Sequence, residues 1–116
     1  MEIARQYKLN RIKSEALKLV KNVAITDVRA KEIKSIAYYD WKNDLIVINE
    51  NVLDHLSEDC LTYIVVHELV HKMAATRNHD ARFLAKLLSI YNISDIIKYE
   101  TEITAFGILN HIPRNY

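Results

Sequence analysis

The sequence predicts an α+β fold, with one helix, a small three-stranded sheet and then three helices. Three observations carry this. The stretch up to Val20 spaces its apolar residues helically. The stretch from Val23 to Asn49 holds short β-branched runs separated by turn formers. From Ser57 onward the helical spacing returns.

Between about Ile3 and Val20, the residues Ile12, Ala16, Leu17, Leu19 and Val20 form an apolar stripe with lysines and arginines between them, so an amphipathic helix is expected. Val23 to Val28, Ser35 to Tyr39 and Leu45 to Asn49 read as strands. Asp40-Trp41-Lys42-Asn43-Asp44 supplies turn formers between the last two, which predicts a hairpin. Leu45 to Asn49 is expected to be a sheet edge. Ser57 reads as an N-cap, with Glu58 and Asp59 at the positive end of a helix that runs to about Ala75. Asn78-His79-Asp80 reads as a break, with Asn78 or Asp80 as the next cap. Phe83, Leu84, Leu87, Leu88 and Tyr91 then give an apolar stripe. Ser94-Asp95 is expected to cap a last helix carrying Tyr99, Ile103, Phe106 and Leu109, which Pro113 stops.

The 116 residues suit a single domain, 1–116, with 110–116 as a candidate inhibitory tail. The 16 basic residues nearly balance 15 acidic ones, so no pull toward nucleic acid or an anionic membrane is expected. A lone Cys60 cannot pair within the chain and reads as a small buried apolar residue. No apolar leader and no membrane-length run is seen, so a cytoplasmic protein is expected.

His67-Glu68-Leu69-Val70-His71 is an H-E-x-x-H pattern inside an apolar run. On a helix, residues four apart lie about one turn along the same face, so both imidazoles can address one ion. Histidine and glutamate are costly to bury without partners, and a metal supplies them. Two neutral nitrogen ligands beside a carboxylate base are what a zinc hydrolase requires. A catalytic zinc also needs a third protein ligand. His79, Glu100 and Glu102 are the downstream candidates. The metzincin pattern fails, because His79 comes eight positions after His71 and no glycine sits at the turn. His79 reads equally well as a loop residue or helix cap. Helical geometry leaves both Glu100 and Glu102 open.

Glu102-Ile103-Thr104-Ala105 resembles the E-x-x-A motif of gluzincins of the CaaX-prenyl-protease and HtpX type. The order of strands, motif helix and later helix resembles the minigluzincins, small soluble archaeal scaffolds similar to the catalytic domains of those membrane enzymes. The resemblance covers most of the chain. It implies that His67, His71 and Glu102 hold one Zn2+ per chain in a minimal zincin fold. It also implies a zinc metalloendopeptidase made as a zymogen. Two departures stand out: Phe106 follows E-x-x-A where an aspartate is usual, and Lys72 places a charge just after the motif. Asn78-His79-Asp80-Ala81-Arg82-Phe83 also resembles the N-H-x-x-x-F tail of YgjP-like zinc peptidases, in which His79 would be the third ligand.

The expected chemistry is hydrolysis of a peptide or protein substrate, with Glu68 as general base. Substrate would lie along Leu45 to Asn49 as an added strand. His79 or Tyr99 would be a candidate neighbour for the developing oxyanion. A zinc-binding domain without turnover is the competing reading, favoured by a closed set of four ligands. Pro113 favours an extended tail, with His111 or Tyr116 reaching the ion. A reciprocal exchange of tails would give a homodimer.

Overall fold

A computed structural model of the chain describes residues 2–113 and 116. Its order is α1 (Glu2–Leu19), β1 (Asp27–Lys31), β2 (Ala37–Asp40), β3 (Leu45–Asn49), α2 (Glu50–His55), α3 (Glu58–Ala74), α4 (Ala81–Ile90) and α5 (Ile93–Asn110). The α+β expectation holds.

The strand order is β1-β3-β2, with β1 parallel and β2 antiparallel to β3. β3 is therefore central, not an edge, and all five of its residues are buried. An uninterrupted apolar run such as Leu45-Ile46-Val47-Ile48 suits a strand covered on both faces. Among the described residues, the sheet edge nearest the H-E-x-x-H helix is β2. β1 begins at Asp27, later than expected, because Val23 to Ile25 pass over the core without joining a ladder. The short α2 was not foreseen. Asn49 starts it, accepting from Asn51 N–H at 2.9 Å while its amide donates to the Ile33 and Ser35 carbonyls.

α3 is the axis of the molecule. α1, β2, α4 and α5 all pack on it. Cys60 to His71 are buried without interruption, so its apolar residues run around the whole circumference, as a core helix requires. Ser57 caps its start, accepting from Cys60 N–H. Ala75 ends it in the left-handed region at φ 53°. α5 starts on Asn92 rather than the expected Ser94-Asp95, with the Asn92 side chain accepting from Asp95 N–H at 2.8 Å.

Candidate metal centre

The apolar neighbours of α3 bury its polar motif almost completely. His67 is 3 %, Glu68 2 % and His71 4 % exposed. Such groups persist in a core only when partnered. His71 Nδ1 is 2.8 Å from the Thr76 carbonyl, and His67 Nδ1 is 3.0 Å from Glu68 Oε2. With Nδ1 of each ring donating to these oxygens, each Nε2 is left as a lone-pair donor.

His79 joins them. The left-handed residue at Ala75 folds the chain back over the end of α3. Thr76 takes up the returning strand, its carbonyl on His71 and its hydroxyl accepting from Asn78 N–H at 3.1 Å. Asp80 then caps α4 through Phe83 N–H. Between these anchors His79 swings inward, its ring 5.0 Å from both His67 and His71. Ligand atoms of His67, His71 and His79 all lie within 4.8 Å of one another. Partial desolvation of the His79 ring, with His67 and His71 beside it, lowers its pKa and favours the neutral form a metal needs. Three imidazole nitrogens, two on buried histidines and the third on the exposed His79, converge in a way that fits a zinc ion. Phe83 supports them, its ring 4.4 Å from His71 and 4.9 Å from His67.

The structure does not bring Glu102 to this cluster. Its carboxylate accepts from Ser57 N–H at 2.8 Å and from the Ser57 hydroxyl at 3.0 Å. Ser57 lies about 15 Å down the helix axis from His67, at 1.5 Å rise per residue. Glu102 therefore serves the start of α3, while the histidines sit near its end. Glu100 is nearer. Its Oε2 accepts from Tyr63 at 2.5 Å and from Tyr116 at 2.8 Å. Tyr99 packs its ring against Tyr63 and Tyr91 in an aromatic cluster. His111 caps the end of α5 in the left-handed region and remains exposed. Lys72 turns away from the histidine cluster, donating to Asp44 Oδ1 at 2.8 Å and to the Ala24 carbonyl. Cys60 is fully buried, and burial, with Glu102 and Glu100 nearby, pushes its thiol pKa up.

Tyr116 lies over the cluster, its ring 4.2 Å from that of His67. It separates two cavities. The larger, about 540 Å³, opens beside Glu68 and His71 and reaches Tyr38, Trp41 and Arg77. The smaller, about 400 Å³, runs between α3, α4 and α5.

Residues 4–105 match the SprT-like family. The chain belongs to that family. A similar curated protein is an uncharacterized one of Methanocaldococcus jannaschii, 25% identical over 104 residues, or 83% of this chain and 94% of that one. Two solved structures are similar. The jannalysin metallopeptidase zymogen of Methanocaldococcus jannaschii superposes with TM-score 0.72 at 25% identity, covering 84% of this chain and 88% of the other. The abylysin metallopeptidase zymogen of Pyrococcus abyssi gives TM-score 0.64 at 27% identity, covering 96% and 97%. Among the described residues, no helix is long and apolar enough to cross a membrane.

Proposed function

We propose that this chain is a zinc-dependent endopeptidase of minigluzincin type in which His67, His71 and His79 hold the ion and Glu68 is the general base. One observation carries the reading: three histidine nitrogens converge within 4.8 Å beside a buried glutamate. The likeness to two metallopeptidase zymogens supports it. This ligand set puts His79 where the E-x-x-A resemblance put Glu102.

A zinc ion held there would lower the pKa of its water toward about 7 and polarise a scissile carbonyl. Glu68 lines the larger cavity, where it can take a proton from water and return it to the leaving amine. The His67 and His71 rings are held in one tautomer by Glu68 and the Thr76 carbonyl. β2 lines the same cavity through Ala37, Tyr38 and Tyr39, so an extended peptide can pair with this edge and not with β3.

The chain as it stands is latent in this reading. Tyr116 covers His67 and engages His79 through its main-chain oxygen. This supports a block by the segment that follows α5.

Metal analysis of wild type, His79→Ala and Glu102→Ala tests the assignment. About one zinc per chain is expected in wild type and Glu102→Ala, with a loss of at least tenfold in affinity for His79→Ala. Zinc retained by His79→Ala and lost by Glu102→Ala would return the third position to Glu102.

A further inference from the structure

We propose that the smaller cavity is a side-chain subsite for tyrosine, with Glu100 as its specificity-determining residue. The inference rests on the peptidase reading and names what that site selects.

Apolar residues form much of its wall, beside His67 and His79. Phe83 and Leu87 of α4 are 1 % and 3 % exposed, and Ile96 of α5 lies opposite. A carboxylate, Glu100, also lines it. Tyr63, itself fully buried, donates to Glu100 Oε2 at 2.5 Å and fixes its orientation. A cavity with a largely apolar wall and a carboxylate oriented by Tyr63 fits a flat ring that carries a donor at its tip.

The chain shows the fit with its own side chain. Tyr116 enters beside His67, and its hydroxyl donates to the same Glu100 oxygen at 2.8 Å. The phenol thus spans from His67 to Glu100 along the side of the cavity, as a residue next to a scissile bond would. Phenylalanine would fill the walls but forgo the hydrogen bond that a tyrosine hydroxyl makes to Glu100. Sites built to bond a hydroxyl discriminate strongly against ligands lacking it. Lysine would satisfy the charge but would have to strip a strongly hydrated ammonium between apolar walls.

The test uses full-length, zinc-loaded protein carrying Tyr116→Ala to remove the side chain that lines the cavity and bonds Glu100, and Glu68→Gln to prevent turnover. Short capped peptides that differ only in a central tyrosine, phenylalanine or lysine are titrated. Trp41, the single tryptophan, lines the neighbouring cavity and reports binding by its fluorescence. The tyrosine peptide is expected to bind about tenfold more tightly than the phenylalanine peptide, and adding Glu100→Gln should shrink that ratio to about threefold or less. Gln keeps the shape and an acceptor for Tyr63, so the fold is preserved. As a second measurement, Tyr116→Phe in an otherwise unaltered chain should admit the tyrosine peptide several-fold more readily than wild type. Equal binding of tyrosine and phenylalanine, a preference that survives Glu100→Gln, or tighter binding of lysine would each overturn the subsite. Binding of none of the peptides by zinc-loaded protein would overturn the peptide-cleft reading itself, which is a different result.

Discussion

Glu102 closes on Ser57, accepting from its backbone N–H at 2.8 Å and its hydroxyl at 3.0 Å, while the same hydroxyl oxygen accepts from Cys60 N–H at 3.2 Å. In a capping box, the residue three beyond the N-cap supplies the returning carboxylate. Here that position is Cys60, which has none, so α5 supplies it across the helix interface. The negative charge also faces the positive end of α3.

Glu102→Ala should therefore cost about 1 kcal/mol of stability, the usual worth of a cap. That lowers the melting temperature by a few degrees in a domain of this size. Zinc content should be unchanged. Thermal unfolding with and without the substitution, each with metal analysis, checks both halves.

Glu68→Gln should leave fold and zinc binding in place while reducing peptide hydrolysis at least a hundredfold, since an amide cannot take up the proton. A peptidase assay on a chain with a freed cleft measures it. Turnover within tenfold of the parent would remove Glu68 from the mechanism.

Asp44 ties the end of α3 to the β2–β3 hairpin, accepting from Lys72, Tyr39 and Thr26. Burial alone would raise its pKa, but these hydrogen bonds outweigh it and hold the carboxyl at about 2. The folded pKa lies below the unfolded value, so the stabilisation is present above about pH 4 and is lost as pH falls toward 2. Asp44 is part-exposed, so after solvent screening the effect is about 1 kcal/mol. Metal-free Asp44→Asn should show a shallower loss of urea stability between pH 5 and pH 2 than metal-free wild type. Parallel curves would show that the contact is silent.

Tyr116→Ala should raise peptidase activity of the full-length chain at least tenfold. The substitution removes a hydrogen bond to a carboxylate and a ring packed on His67. Initial rates on a generic protein substrate test this, and equal rates would show that Tyr116 does not limit access.

Much of this was legible in the sequence. The periodicities located α1, β3, α3 and α4, and Ser57 and Asp80 announced their caps, because these signals are local. The H-E-x-x-H pattern placed two histidines and a glutamate together for the same reason. The placing of His79 beside His67 and His71 depended on a turn. Ala75 at φ 53° shortens the path from His71 to His79, and a left-handed alanine leaves no mark in the sequence. Glu102 and Glu100 lie on one helix two residues apart and point to different ends of α3. Only tertiary packing separates them. The central place of β3 was hidden too, although its unbroken apolar run was the available signal.

Tyr116 reaches the cleft from the chain that also carries α5. A tethered occupant has an effective concentration set by its span, in the millimolar range for short flexible links. Dilution cannot lower it. A block made this way would hold the same fraction of molecules closed at any protein concentration, whereas a block exchanged between two copies would open as the protein is diluted. The concentration dependence of activity therefore reads the topology of the block directly. Under such a tethered block, a peptide entering the cleft would have to outcompete a neighbour that never diffuses away.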